Sequence, residues 1–199
     1  MITYLIIGIT AVLSFQCFSN RAWFMRLAFI PFRVVRDKEW YRLISHGFIH
    51  ADMMHLLVNM FTFWSFGLYM ERTFEWMGSG KWGFLGLYFG GMIFASVYDL
   101  IKQRDNSLYV SIGASGAVSA VLFSSIIFDP WGKILLFAIV PIPGIVFALL
   151  YLLYCQYMAR QANDHINHNA HFYGALYGFV YPILLQPSLL QHFISNLKL

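Results

Sequence analysis

Apolar residues fall into six runs separated by short polar or basic stretches. The runs cover about residues 2–18, 53–70, 82–101, 112–128, 144–158 and 170–185. A helix needs roughly 20 mainly apolar residues to cross the hydrocarbon core of a bilayer. The pattern therefore predicts an all-α membrane protein, a bundle of six transmembrane helices. Some runs are short, which fits a thin protein or helices that begin below the interface. Residues 129–143 are apolar as well, but Pro130, Gly132, Pro141 and Pro143 interrupt them, with Gly144 behind. They predict a loop lying against the protein and a kinked start to the fifth helix. The tail after Pro187 is short.

The longest connection is the first, about residues 19–52. It mixes Arg21, Arg26, Arg33, Arg36, Lys38 and Arg42 with Trp23, Phe24, Phe29, Phe32, Trp40 and Tyr41. Arginines interleaved with aromatic rings suit the headgroup layer, so this connection is expected to lie in the interface. A plain basic loop is the alternative.

Composition agrees with the pattern. Of 199 residues, 59% are hydrophobic and 11% charged, against about 25% charged in a soluble domain. The expectation is one membrane domain over residues 1–199. The net charge of +4 resides in the loops and implies no nucleic-acid partner. Cys17 and Cys155 both lie in apolar runs and read as small buried hydrophobes. The first run lacks a basic stretch before it and a small-residue cleavage site after it. It reads as a retained span, not a cleaved signal.

Polar residues inside the runs carry the chemistry. With six spans, the starts of the second, fourth and sixth helices face one side. His55 and Asn59 begin the second, Ser115 the fourth and His171 the sixth. All then lie at one depth. A serine hydroxyl is a weak nucleophile until a base takes its proton, and imidazole titrates near neutrality. Gly113 and Gly116 flank Ser115, while Gly174 and Gly178 share the face of His171 at helical spacing. Small faces let two helix backbones approach closely in lipid, as a Ser115–His171 hydrogen bond requires. Ordinary small-residue packing around an incidental histidine fits the same spacing. His55 and Asn59, four apart, share a helical face and can donate hydrogen bonds to an oxyanion, with the Ser115 N–H as a third donor. Two core polar groups satisfying each other across helices is the other reading. No carboxylate lies within the second, fourth or sixth run, except Asp52 before the second and Glu71 at its end, so a two-residue dyad is expected.

Histidines also bind metals. His46, His50 and His55 lie by the second run, and His165, His168 and His171 by the sixth. Zinc or copper would suit them, but a metal site leaves the serine tetrad unexplained. No metal and no cofactor are expected.

Several short patterns occur together. They are Glu39-Trp40-Tyr41-Arg42; His46, His50, His55 and Asn59 in order; Glu71-Arg72; Gly78-Ser79-Gly80-Lys81; Gly113-Ala114-Ser115-Gly116; and Ala170-His171 followed by Gly174 and Gly178. This set resembles the rhomboid family of intramembrane serine proteases in its six-helix prokaryotic form, over essentially the whole chain. The resemblance implies Ser115 as nucleophile and His171 as general base. It implies His55, Asn59 and the Ser115 amide as the oxyanion site. Substrates would be single-pass membrane proteins, cut within or beside their transmembrane helix. A non-catalytic relative that binds transmembrane helices, or a small metal or ion transporter, is the competing reading.

Two departures stand out. Ser119 occupies a position where relatives often carry a tyrosine stacked on the catalytic histidine, so something else must orient His171; Tyr173 and Tyr177 are the candidates. Loop charge is the second. Nine of the 13 Lys and Arg residues fall in the first, third and fifth connections. The positive-inside rule would place those connections in the cytoplasm, whereas the family places them outside. Six of the nine lie in the interfacial first connection, where arginines can face lipid phosphates. The expected setting is therefore a bacterial plasma membrane with the site on the extracytoplasmic side.

Overall fold

The computed structural model describes residues 1–136, 139–161 and 166–197. Helix α1 (Ile2–Ser19) leads into three short helices, α2 (Arg21–Leu27), α3 (Pro31–Arg36) and α4 (Arg42–Ser45), and a 3-10 turn at His46–Phe48. Then come α5 (Met53–Trp76), α6 (Gly80–Lys102), α7 (Ser115–Phe128), strands β1 (Lys133–Leu136) and β2 (Val140–Pro143), α8 (Gly144–Gln161), α9 (His168–Leu185) and α10 (Ser188–Leu197). Each predicted run is a helix. The second continues six residues beyond the predicted end at 70, and the fourth starts at Ser115 instead of 112. Helices α1 and α6 meet the length and hydropathy needed to cross a membrane on composition alone.

One region differs from expectation. Lys133–Leu136 and Val140–Pro143 are not plain loop but pair as antiparallel strands, Lys133 with Pro143 and Leu136 with Val140. The proline N–H groups that are missing are tolerated because this ribbon has two open edges. Within the short tail, α10 buries Leu189 and Phe193 against Ile127 of α7.

Local chemistry sets the helix ends. Asp52 caps α5 by accepting the His55 N–H at 2.8 Å. Asn167 caps α9 by accepting the Ala170 N–H at 3.0 Å. Helix α1 is capped from a distance. The buried Glu71 carboxylate of α5 accepts the Ile2 and Thr3 N–H groups at 2.6 and 3.0 Å, and the Thr3 hydroxyl at 2.7 Å. These are orphan donors of a first helical turn, so the Glu71 charge joins the positive end of α1 to α5.

The first connection is pinned in a similar way. Arg42 is 1% exposed. Its Nε meets Glu39 at 2.5 Å, and Nη1 donates to the Met25 and Ala28 carbonyls at 2.9 and 2.6 Å. The Glu39 to Arg42 tetrapeptide thus holds α2 and α4 together. Trp23, Trp40 and Tyr41 remain exposed on this segment. Phe29 pairs with Ser111 through two backbone bonds, tying the first connection to the chain just before α7.

Helix α7 is the centre. Every residue from Gly116 to Ile127 is buried. At about 1.5 Å per residue, its 14 residues rise about 21 Å, less than the roughly 30 Å hydrocarbon thickness. At least one end of α7 therefore lies below the membrane surface. Its neighbours approach through small residues. A Cβ at Gly174 would overlap the Gly116 carbonyl oxygen, and one at Gly178 the Ala120 carbonyl oxygen. On the α6 side, Gly91 faces the Ala120 methyl and Gly116 faces the Ala95 methyl. In lipid, where apolar burial gives little drive for association, such packing is a main source of cohesion.

Gly178→Leu must push α9 away from α7, and overpacking costs about 1–3 kcal/mol or more. Its thermal midpoint in detergent is expected to fall by several degrees. Gly8→Ala, where nothing lies within 4 Å of the added Cβ, is expected to leave the midpoint level or slightly raised. Equal behaviour of the two variants would contradict the packing account.

Candidate active site

Ser115 is the first residue of α7 and is half-buried. The turn before it needs glycine. Gly113 has φ +109, a region that side chains avoid. A Cβ there would also sit 2.8 Å from Cε1 and 2.9 Å from Nε2 of His55. Gly113 thus turns the chain and makes room for the His55 ring.

Two buried histidines strap this turn. Gly113 donates its N–H to the His46 carbonyl at 2.9 Å, and Ala114 donates to His50 Nε2 at 3.5 Å. Since Nε2 accepts, the His50 proton sits on Nδ1, which faces the Ser14 hydroxyl at 3.0 Å. His46 Nδ1 faces the Arg42 carbonyl at 2.8 Å, an acceptor only, so it carries the proton and leaves Nε2 toward Ser96 at 3.3 Å. The first bond inside α7 runs from the Val118 N–H to the Ala114 carbonyl at 2.9 Å. The N–H groups of Ser115, Gly116 and Ala117 precede it at the positive end of the helix.

His171 lies in the first turn of α9, its N–H on the Asn167 carbonyl at 3.3 Å. Its helix meets α7 at the serine. The Ala170 carbonyl oxygen is 3.4 Å from where a Gly116 Cβ would stand. Ser115 and His171 are the immediate chain neighbours of that contact. The predicted close approach of the Gly116 and Gly174 faces is therefore present.

His55 and Asn59 share a face of α5, as their spacing predicts. The half-buried His55 ring stands edge-on to His50, centroids 4.8 Å apart. Asn59 is buried, and its Nδ2 donates to the His55 carbonyl at 2.9 Å. One of its two amide hydrogens is thus committed to its own helix.

Several residues here were not singled out by sequence. Asp99 of α6 is buried and accepts from Asn167 Nδ2 at 2.5 Å; the same amide lies 3.2 Å from Tyr109 and 3.2 Å from Ser111. A cavity of about 20 Å³ touches Ser115, Ser111, Asp99, Asn167, Ser96 and His46. The carboxylate missing from the fourth and sixth runs is supplied to this neighbourhood by the third. Tyr173 and Tyr177, the expected partners of His171, both face α6 instead. Tyr173 stacks on Tyr98, and the Tyr177 hydroxyl donates to the Gly86 carbonyl at 3.0 Å. The ring parallel to His171 is Tyr151 of α8, centroids 6.3 Å apart and planes 16° apart. The Tyr151 hydroxyl is 2.8 Å from that of Ser119.

Among the described residues the histidines do not gather as one metal set. His46 and His50 are engaged in the turn, and His165 lies outside the described residues. Cys155, His168 and His171 do come together, their ligand atoms within 4.8 Å of one another.

Residues 37–188 match the Rhomboid domain family. The chain belongs to the rhomboid family. It is 26% identical over 171 residues to "RHOMBOID-like protein 12, mitochondrial" of Arabidopsis thaliana, covering 78% of this chain and 49% of that protein. It is 34% identical over 105 residues to "Rhomboid protein 1, mitochondrial" of Saccharomyces cerevisiae, covering 51% and 29%. "Rhomboid protease GluP" of Bacillus subtilis is 34% identical over 89 residues, covering 45% and 16%. This rhomboid spans half or less of the length of each of these relatives. The family is one of membrane proteins, with mitochondrial and bacterial members among these relatives.

The strapping histidines predict acid sensitivity. Burial holds His46 at about 4. Burial, with the neighbouring His55 adding to it, holds His50 at about 3. Both folded-state values lie below the ordinary 6.5, so below that pH the unfolded chain binds more protons. Stability is then complete above about pH 6.5 and lost as pH falls toward 4 and 3. Between pH 6.5 and 5, each histidine contributes a loss of about 2 kcal/mol. The thermal midpoint in detergent is expected to be clearly lower at pH 5 than at pH 7.5, with a shallower slope in His50→Gln. A midpoint flat over that range would contradict the assignment of neutral buried imidazoles.

Proposed function

We propose that this rhomboid is a serine endopeptidase that cleaves single-pass membrane proteins within or beside their transmembrane helix. The observation that carries the reading is the junction of α7 and α9. It joins a helix-starting serine to the helix of a histidine across a backbone contact, with the His55 ring against the preceding glycine.

The chemistry follows from the parts. Ser115 Oγ attacks the substrate carbonyl carbon while its proton passes to His171. The carbonyl oxygen becomes an oxyanion beside the leading N–H groups of α7 and the His55 ring, with Asn59 one turn further along α5. Preorganised donors of this kind are each worth about 10²–10³ in rate. The amide C–N bond then breaks, and His171 returns the proton to the leaving nitrogen. Water attacks the resulting acyl ester by the same route reversed and regenerates Ser115. A helical substrate hides its carbonyls in its own hydrogen bonds, so small or helix-breaking residues near the cut favour the reaction. The bacterial relative supports a bacterial plasma membrane, and the site is proposed to face its extracytoplasmic side. No cofactor enters the scheme, and lipid and the substrate helix are the partners proposed.

A second reading has one observation behind it. Cys155, His168 and His171 offer one sulfur and two nitrogens at close range, which suits a soft divalent ion. Such an ion would occupy the imidazole that the dyad needs, so the two readings separate experimentally.

Detergent-solubilised protein treated with a fluorophosphonate probe is expected to label in the wild type. Labelling should fall at least about 100-fold in Ser115→Ala and His171→Ala, and a chelator should leave the wild-type rate unchanged. Labelling that survives Ser115→Ala contradicts the dyad. Labelling that appears only after chelation favours the metal reading.

A further inference from the structure

We infer that Tyr151 of α8 is the positioning residue for His171, and that the Ser119 hydroxyl holds it there. The inference rests on the protease reading for its consequence in catalysis, but its geometry is independent of that reading. An imidazole that takes and returns a proton must present one nitrogen to the serine throughout, and it is free to turn about its Cβ–Cγ bond unless a neighbour prevents this. The neighbour whose plane matches is Tyr151, offset-parallel at 6.3 Å and 16°, inside the 4.5–7 Å range of attractive ring pairs.

Tyr151 is itself fixed on three sides. Phe147, one turn earlier on α8, stacks on it with centroids 5.5 Å apart and planes 22° apart. Phe123 of α7 packs against it at 5.5 Å. The hydroxyl meets Ser119 Oγ at 2.8 Å. Ser119 stands one turn after Ser115 on α7 and is buried. The nucleophile's own helix therefore anchors the ring that faces the base. A hydroxyl pair in an apolar surrounding is held firmly, because neither group has water to turn to. Because Ser119 is small, the tyrosine ring can enter from the neighbouring helix. The arrangement couples α7, α8 and α9 at the level of the dyad.

Two readouts on the full-length protein in detergent test this. One is the rate of fluorophosphonate labelling. The other is the ¹⁵N NMR signal of the His171 side chain in histidine-labelled protein, assigned by comparison with His171→Ala. Tyr151→Ala, or Tyr151→Leu should the alanine variant not fold, is expected to slow labelling about 10- to 100-fold and to shift or broaden the His171 signal. Tyr151→Phe keeps the ring and is expected to stay within about threefold to tenfold of wild type. Ser119→Ala and Tyr151→Phe both remove the Ser119–Tyr151 hydrogen bond, so the double variant should be no worse than the more affected single variant. Wild-type labelling with an unmoved His171 signal and an unchanged rate in Tyr151→Ala overturns the positioning role while leaving the protease reading intact. An unreactive wild type whose His171 signal still moves in Tyr151→Ala upholds the positioning and overturns the protease reading.

Discussion

The backbone contact between α7 and α9 is the constraint on which the rest depends. Gly174 and Gly178 leave no Cβ between their helix and the carbonyls of Gly116 and Ala120. Two helices in that arrangement lie nearer than any pair separated by larger side chains, and the gap at their N-terminal ends is set by the Gly116–Ala170 approach. The residues on either side of that approach are Ser115 and His171. The approach of the two helices that carry them is a consequence of packing, with no loop needed to bring it about. The same small faces continue toward α6 through Gly91 and Ala95, so α7 is clasped from two sides.

A short central helix creates a second demand. An end of α7 that lies below the membrane surface leaves its orphan amides and preceding turn in a place where unsatisfied polar groups are costly. The chain answers with buried imidazoles. His46 and His50 receive the turn through a carbonyl and a ring nitrogen, and Ser14 of α1 and Ser96 of α6 bond to their far sides. His46 and His50, before α5, are thereby used for architecture, while His55, in the first turn of α5, is turned toward Gly113. Polar groups at one depth therefore divide into those that hold the site and those that face it. The division follows from hydrogen-bond partners, which spacing does not disclose.

That division also marks how much was legible beforehand. The six apolar runs predicted the six long helices because hydrocarbon thickness leaves few alternatives. Gly113, Gly116, Gly174 and Gly178 predicted a close approach because helical period and side-chain size are local properties. The parity of spans placed Ser115, His171, His55 and Asn59 on one side. The partner of His171 was not legible. Tyr173 and Tyr177 are near it in sequence, but the helical turn directs both to α6, where Tyr98 and the Gly86 carbonyl take them. Tyr151 is twenty positions away on another helix, and only the packing of α8 on α7 and α9 reveals it. Asp99 was missed for a similar reason, since a carboxylate near the end of a run reads as an interfacial residue until Asn167 is seen bonded to it. The pairing of Lys133–Leu136 with Val140–Pro143 was hidden by its prolines, which argue against a central strand but not against a two-stranded ribbon.

The most direct test of the account is an experimental structure of the detergent-solubilised protein after reaction with a fluorophosphonate. The account predicts phosphorus bonded to Ser115 Oγ and the His171 imidazole within about 3 Å of the adduct's oxygens. It also predicts the phosphoryl oxygen directed at the leading N–H groups of α7 and at His55, and the Tyr151 ring still parallel to the imidazole. A structure in which Ser115 is unmodified, or in which His171 is turned away toward Cys155 and His168 with a metal ion between them, would contradict it.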